Sequence, residues 1–348
     1  MATIADVARQ AGVSPMTVSR VVNGEPGVSA KMREKVDAAV ATLNYVPNQA
    51  ARHLAGSEPI RIAILYSNPS AAYLSEFLVG VLNKASLLHM QLVVEKCEAG
   101  EREGDEARDL IANGIDGIVL PPPLCDSVRI LDLLAESSTP AVAVATGMPD
   151  KRICAVSIDD FRAAYEMTRH LLTLGHLRIG FITGHPNQTA SARRLAGFRA
   201  AMDEAGIEVP DELIAQGMFN YRSGLDAAEI LLATSQRPTA IFASNDDMAA
   251  ATVAIAHRLG LDVPGDLAVA GFDDAALATT IWPELTTVHQ PITDMAGAAV
   301  ELLVRQIRAR RAGEDGPPEH IVMDFSLIRR QSDAAPRLRP PVRIASQS

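Results

Sequence analysis

Two hydrophobic rhythms divide the chain. Near the start, Ile4, Val7, Ala8 and Ala11 recur at helical spacing, and Gly12 breaks the stripe. Thr3, three residues before Asp6, forms a capping-box pattern that predicts the start of this helix. Ser14-Pro15 predicts a second start. Ser is a good N-cap, and Pro suits the first helical position because its missing N–H has no helical partner there. Val18, Val21 and Val22 then share one face, while Pro15, Met16, Ser19 and Arg20 point elsewhere. A third helix is predicted from about Ser29, burying Met32, Val36, Ala39, Val40 and Leu43. The short link Ala11–Ser14 is that of a helix-turn-helix, whose second helix can enter a major groove. The pattern alone fits a ligand-free three-helix bundle equally well.

After residue 58 the rhythm changes. Short apolar runs predict strands at Arg61–Tyr66, Gln91–Glu95, Gly117–Leu120, Ala141–Ala145, Ile179–Thr183, Ala240–Ala243 and Leu267–Phe272. Amphipathic stretches such as 74–88, 160–174, 192–205, 223–234 and 246–260 lie between them. Such alternation predicts parallel sheets with helices on both faces. Two βα series predict two doubly wound subdomains facing each other across a cleft that can close by hinging. Residues 47–57 would be the hinge: Pro47-Asn48 is a start signal, and 49–55 is helix-prone but too short to stay helical alone.

The composition excludes several classes. At 348 residues and 37.0 kDa the chain suits two or three domains. With 48% apolar and 21% charged residues it is an ordinary globular chain, not a disordered or fibrous one. No run of eighteen apolar residues predicts a membrane span, and the first residues lack the basic-then-apolar order of a secretory signal. Cys97, Cys125 and Cys154 lack metal-ligand spacing and read as buried thiols of a reducing cytoplasm. Residues 1–56 carry +2, so the rest of a chain of net charge −10 carries −12. A basic head on an acidic body suits local contact with nucleic acid.

Signs of catalysis are missing. No G-x-G-x-x-G follows a strand, and there is no P-loop and no nucleophile elbow. His170, His176, His185, His257 and His289 are scattered. We therefore expect no catalytic residue, no metal and no cofactor. Polar clusters do fall where strands end: Ser157-Ile158-Asp159-Asp160, Asn245-Asp246-Asp247-Met248 and Gly271-Phe272-Asp273-Asp274, with Arg193-Arg194 opening a helix. They read as helix caps or as cleft contacts.

The wording of the head resolves the first ambiguity. Ile4-Ala5-Asp6-Val7-Ala8, Ala11-Gly12-Val13-Ser14, Thr17-Val18-Ser19-Arg20-Val21-Val22-Asn23, Leu43-Asn44-Tyr45-Val46-Pro47-Asn48 and Leu54-Ala55-Gly56 closely resemble the lactose-repressor (LacI/GalR) family. The resemblance runs through nearly the whole chain. It implies that Pro15, Met16 and Arg20 set operator choice, and Arg20 can pair bidentately with guanine. It implies phosphate contacts from Thr17, Ser19, Asn23 and Ser29. It adds Ser14, Tyr45, Asn48 and Arg52 to the DNA contacts, and Leu54 as a wedge in the minor groove of a hinge that folds on DNA. In the body it implies a fold like periplasmic sugar-binding proteins. Arg194 and Asp273 would grip ligand hydroxyls, Asn245 and Gln290 would add polar contacts, and Phe219 would supply a stacking wall. Ser67 and Tyr73 would reach the cleft from the other lobe. An Asp that some relatives carry after the fourth strand is Ala145-Thr146 here, which leaves the sugar open.

The implied protein is a cytoplasmic regulator, expected to be a repressor of carbohydrate-metabolism genes. It would bind a palindromic operator as a homodimer under control of a small ligand. A purine-like corepressor is the alternative to a sugar. A solute-binding protein would leave residues 1–56 unexplained, and an enzyme would need a catalytic constellation. The expected division is a helix-turn-helix domain at 1–46, the hinge at 47–57, an effector and dimerisation domain at 58–330 and a flexible tail at 331–348. One lobe would hold 58–158 with 290–318, the other 160–287 with 320–330. The chain would cross between lobes near 158–161, 287–291 and 318–321.

Overall fold

The computed structural model describes residues 2–22, 27–43, 45, 59–97, 100, 103–314 and 316–337. The chain separates into two compact units, 1–59 and 60–348. The hinge segment 47–57, with Asn48, Arg52 and Leu54, lies outside the described residues, as does Asn23.

The head holds α1 (Ile4–Ala11), α2 (Pro15–Val22) and α3 (Ala30–Thr42). Thr3 and Asp6 form the reciprocal capping box of α1, and Gly12 ends that helix in the left-handed conformation at φ 66°. Ser14 Oγ accepts from the Thr17 N–H at 3.2 Å and starts α2. Val7, Val18 and Val36 are fully enclosed, with Ala8, Ala11, Val21, Ala39 and Tyr45 around them. Met32 departs from expectation and is exposed. The inward stripe of α3 passes through 33, 36, 40 and 43, so half-buried Arg33 takes the inward place and lays its guanidinium on the Val21 carbonyl at 3.5 Å.

The body contains two six-stranded sheets. The first lobe is built from β1 (Arg61–Tyr66), α4 (Ala71–Leu87), β2 (Gln91–Lys96), α5 (Glu103–Ala112), β3 (Gly117–Leu120), α6 (Val128–Glu136), β4 (Ala141–Val144) and β5 (Cys154–Ile158). The second is built from α7 (Asp160–Thr173), β6 (Ile179–Thr183), α8 (Thr189–Glu204), β7 (Ile214–Gln216), α9 (Tyr221–Leu232), β8 (Ala240–Ala243), α10 (Asp246–Arg258), β9 (Ala268–Asp273), α11 (Leu277–Thr280) and β10 (Thr286–His289). Then α12 (Ile292–Arg311) returns to pack on α4. Strand β11 (His320–Met323) pairs in parallel with β5, and β12 (Ser326–Ile328) pairs antiparallel with β10. The sheet orders are β11-β5-β4-β3-β1-β2 and β12-β10-β9-β8-β6-β7. Central strands such as β3, β4, β6 and β8 are buried throughout, as apolar runs covered on both faces require.

Two boundaries differ from the sequence reading. The third crossing lies at 324–325, not 318–321, because β11 still completes the first sheet. The tail is not loose from 331. Ser332 and Asp333 are buried, Ser332 Oγ bridges the Val269 carbonyl (2.6 Å) and the Thr286 N–H (2.8 Å), and Asp333 accepts from the Thr286 hydroxyl at 2.8 Å. His176 Nε2 holds the Ala334 carbonyl at 2.8 Å. Proline content and missing leucine heptads could not reveal these polar anchors. No helix among the described residues is long and apolar enough to cross a membrane.

Candidate functional site

In the head, α2 turns Pro15, Met16 and Arg20 outward, with Met16 66% exposed, while Thr17 and Ser19 are half-buried. Ser14 and Ser29 are exposed at the helix starts. This is the solvent face of the second helix of a helix-turn-helix, free of apolar core duty. Tyr45 is 8% exposed and packs in the apolar core of the head.

In the body, the ends of both sheets enclose a cavity of about 30 Å³, room for on the order of two waters. It brings together Tyr73, Arg194, Phe219, Asn245, Asp273 and Gln290, six residues scattered over 217 positions of sequence. Ser67 does not line it. Asn68 accepts from the Ser70 N–H at 2.8 Å and donates to the Pro122 carbonyl at 3.1 Å, a turn that brings Asn68 and Ser70 to the cavity instead. Gln188 and the apolar Pro122, Ala145 and Ala190 complete the lining.

Arg194 is the centre of the charge arrangement. It leaves α8 on a buried face, donates from Nε to Asp160 Oδ1 at 2.7 Å and from Nη1 to the Ser244 carbonyl at 2.6 Å. Its guanidinium lies 3.5 Å from the centre of the Phe272 ring, and Asp273 is 3.8 Å away. Asp160 opens α7, next to Asp159, which caps that helix. The sequence shows Asp160 only in a capping cluster; its grip on Arg194 is a pair formed across 34 residues, which leaves no local signal.

Asp273 accepts from Gln290 Nε2 at 2.6 Å. Burial pushes its carboxyl up to about 7, against the pull of Arg194 and of the Gln290 hydrogen bond. Burial likewise raises Asp160, and it raises the Tyr73 phenol so that this group is a neutral hydroxyl. Asn245 caps α10 by accepting from the Met248 N–H and donates to the Phe219 carbonyl at 3.2 Å, so its amide holds the wall residue in place. The Phe219 ring occupies the space where a Cβ on Gly184 would sit. Asp246, by contrast, is structural: it accepts from Thr287 at 2.7 Å and from the Ala275 N–H at 2.9 Å.

Two features make the cavity a candidate ligand site. Ala145, Phe219, Asp273 and Asp274 all have positive φ, at 56°, 57°, 110° and 60°, strain that clusters where ligands are held. The Tyr73 hydroxyl and Gln290 Oε1 are buried at the cavity without a hydrogen-bond partner in the protein. Such groups are costly unless something meets them. Among the described residues, no group of three or more His, Cys, Asp or Glu side chains could hold a metal ion.

Comparison with known proteins covers both parts of the chain. Residues 3–48 match the family described as bacterial regulatory proteins, lacI family, and residues 168–332 match the periplasmic binding protein-like domain. The chain is 33% identical to catabolite control protein A of Priestia megaterium over 87% of this chain and 92% of that one. The transcriptional regulator CelR in complex with cellobiose superposes with a TM-score of 0.73 at 31% identity, covering 95% of this chain and 100% of the other. The lac repressor dimer bound to operator and the anti-inducer ONPF gives 0.73 at 28% identity, covering 96% and 99%. With an exposed recognition face on its head and a two-lobed body of periplasmic-binding type, this chain belongs to the lacI family of DNA-binding transcriptional regulators.

Proposed function

We propose that the chain represses carbohydrate-metabolism genes, binding a palindromic operator as a homodimer, with an uncharged sugar in the interlobe cleft as its effector. The observation that carries the ligand class is the balance of donors and charges at the cavity. Arg194 is the one cation among the lining residues, and it already lies between Asp160 and Asp273. A phosphate would meet two carboxylates and no uncompensated cation. Gln290 Oε1 is an acceptor in need of a donor, and the Tyr73 hydroxyl can give or take. Sugar hydroxyls satisfy both, and Asp273 can accept from a third. The cellobiose complex of CelR supports this reading.

On the DNA side, Arg20 pairs with guanine, Pro15 and Met16 touch thymine methyls, and Ser14, Thr17, Ser19, Asn23 and Ser29 hold phosphates. Asn48 and Arg52 steady the hinge on the backbone, and Leu54 enters the minor groove. The operator-bound dimer of the lac repressor supports this assignment. Val79 and Leu82, exposed three residues apart on α4, favour a partner subunit on the first lobe.

A thermal-shift panel of uncharged sugars, sugar phosphates and purines tests the ligand class. An uncharged sugar should raise the melting temperature, and the gain should vanish in Arg194→Ala. A shift confined to phosphates or to purines would contradict the proposal.

A further inference from the structure

The two lobes meet at a second polar cluster beside the cavity, centred on Asp126. This residue ends a 3-10 turn, Leu124–Asp126, between β3 and α6 of the first lobe. Across the lobe boundary, α8 begins at Thr189 without a side-chain cap of its own, because Gln188 makes no capping hydrogen bond. The missing cap comes from the other lobe. Asp126 Oδ2 accepts from the Thr189 N–H at 2.8 Å, and Asp126 Oδ1 accepts from the Thr189 hydroxyl at 2.9 Å. The Thr146 hydroxyl, also from the first lobe, donates to the same carboxylate at 2.6 Å. Thr189 Oγ1 in turn accepts from the N–H groups of Gly147 (2.9 Å) and Met148 (3.1 Å). The lobes are so close here that a Cβ on Gly147 would stand 2.7 Å from the Ala190 nitrogen.

We propose that Asp126 is a positioning residue for the effector site: from the first lobe it caps the second-lobe helix that carries Arg194, and so clasps the lobes together. The inference rests on the cleft being the ligand site, but its test needs no ligand. A carboxylate at a helix N-terminus satisfies an orphan N–H and opposes the positive end of the helix dipole. Here both benefits exist only while the lobes are together. Parting the lobes uncaps α8 and sends Asp126 to water, so the strength of the cap enters the open–closed equilibrium directly. Arg194 lies five residues into α8, and its position follows the first turns of that helix. A second bridge, Ser70 Oγ to Asp247 Oδ2 at 2.5 Å, also joins the lobes, so separation breaks two carboxylate contacts. Burial raises the Asp126 carboxyl while the Thr146 and Thr189 hydrogen bonds pull it down, as befits a carboxylate enclosed among donors.

The test uses the full chain. Lys151 of the first lobe and Asn187 of the second are exposed, and the three native cysteines are buried. Spin labels on cysteines introduced at 151 and 187 report the distance between lobes. Without any ligand, Asp126→Ala and Thr189→Val should each raise the population of longer distances about five- to tenfold, the scale of a lost helix cap. Asp126→Asn, which keeps an acceptor oxygen, should fall between them and the unsubstituted chain. Amide exchange at Thr189, Gly147 and Met148 should quicken by a similar factor, with no change in Gly117–Leu120 or Ile179–Thr183. Distance distributions unchanged in both Asp126→Ala and Thr189→Val would overturn the proposal. Exchange rising equally across both sheets would also overturn it, because Asp126 would then be a general core residue.

Discussion

Asp273 is a buried carboxyl held up to about 7 from an ordinary value near 3.8, so it links the cleft to pH. Between those values the folded chain keeps a proton that the unfolded chain has released. Stability from this site is therefore lost as pH rises through the window and levels off above about 7. Asp273→Asn removes the titration. Thermal unfolding of both proteins across that window should show the unsubstituted chain losing ground steadily against the variant as pH rises. A constant difference would mean that Asp273 does not titrate there. Tyr45 belongs to a different argument, about packing. Tyr45→Ala should destabilise the head by about 3 kcal/mol, as truncation of a buried aromatic does, whereas Tyr45→Phe should be nearly neutral. Amide exchange in α1 and α3 reads this directly. At this scale, Arg194, Asp273, Gln290 and Phe219 were legible in the sequence through family resemblance. Asn68 and Asp160 were not: one depends on a local turn that rotates the loop after β1, the other on an ion pair between residues 34 apart in sequence on two helices that pack together.

Elements read from the sequence in proportion to their apolar contrast. The capping box at Thr3, the restart at Ser14-Pro15 and the buried central strands all carry strong local signals. The edge strands do not. β7 has three residues, and β11 alternates exposed and half-buried positions, so its pairing with β5 is decided by its neighbours. The anchored stretch after β12 was hidden for a related reason, because it is held by polar groups. Asp333→Ala should cost about 2–3 kcal/mol, since it leaves the buried Thr286 hydroxyl with no acceptor for its proton, though it still accepts from the Arg330 N–H, and deprives His170 of its carboxylate partner. Chemical denaturation measures this cost. In the hinge, Leu54→Ala should weaken binding to the specific operator while sparing sugar binding, the expected signature of a lost wedge. Equal losses on operator and random DNA would speak against the wedge.

For the molecule as a whole, the proposed control of DNA binding depends on a difference between two lobe arrangements. A ligand that bound both equally would shift nothing, however tightly it bound. The cavity of about 30 Å³ is too small for a sugar as the lobes stand, so uptake of one requires the lobes to part and re-form around it. Coupling between cleft and operator is reciprocal and typically 1–3 kcal/mol, or about 5- to 150-fold in affinity. The layout of two parallel-sheet lobes was legible from the alternation of strands and helices. Their degree of closure was not, because it is set by a few cross-lobe hydrogen bonds such as those of Asp126 and Ser70. The most direct test titrates an operator duplex, selected from random sequence by the unsubstituted protein, by fluorescence anisotropy. It is repeated with a saturating amount of the uncharged sugar that gives the largest thermal shift, for the unsubstituted chain and for Asp273→Ala. Operator affinity should change at least about fivefold with sugar in the unsubstituted chain and not at all in the variant, whose sugar-free affinity stays near normal. An affinity that is the same with and without sugar in the unsubstituted chain, or an equal response in Asp273→Ala, would contradict control of DNA binding from the cleft.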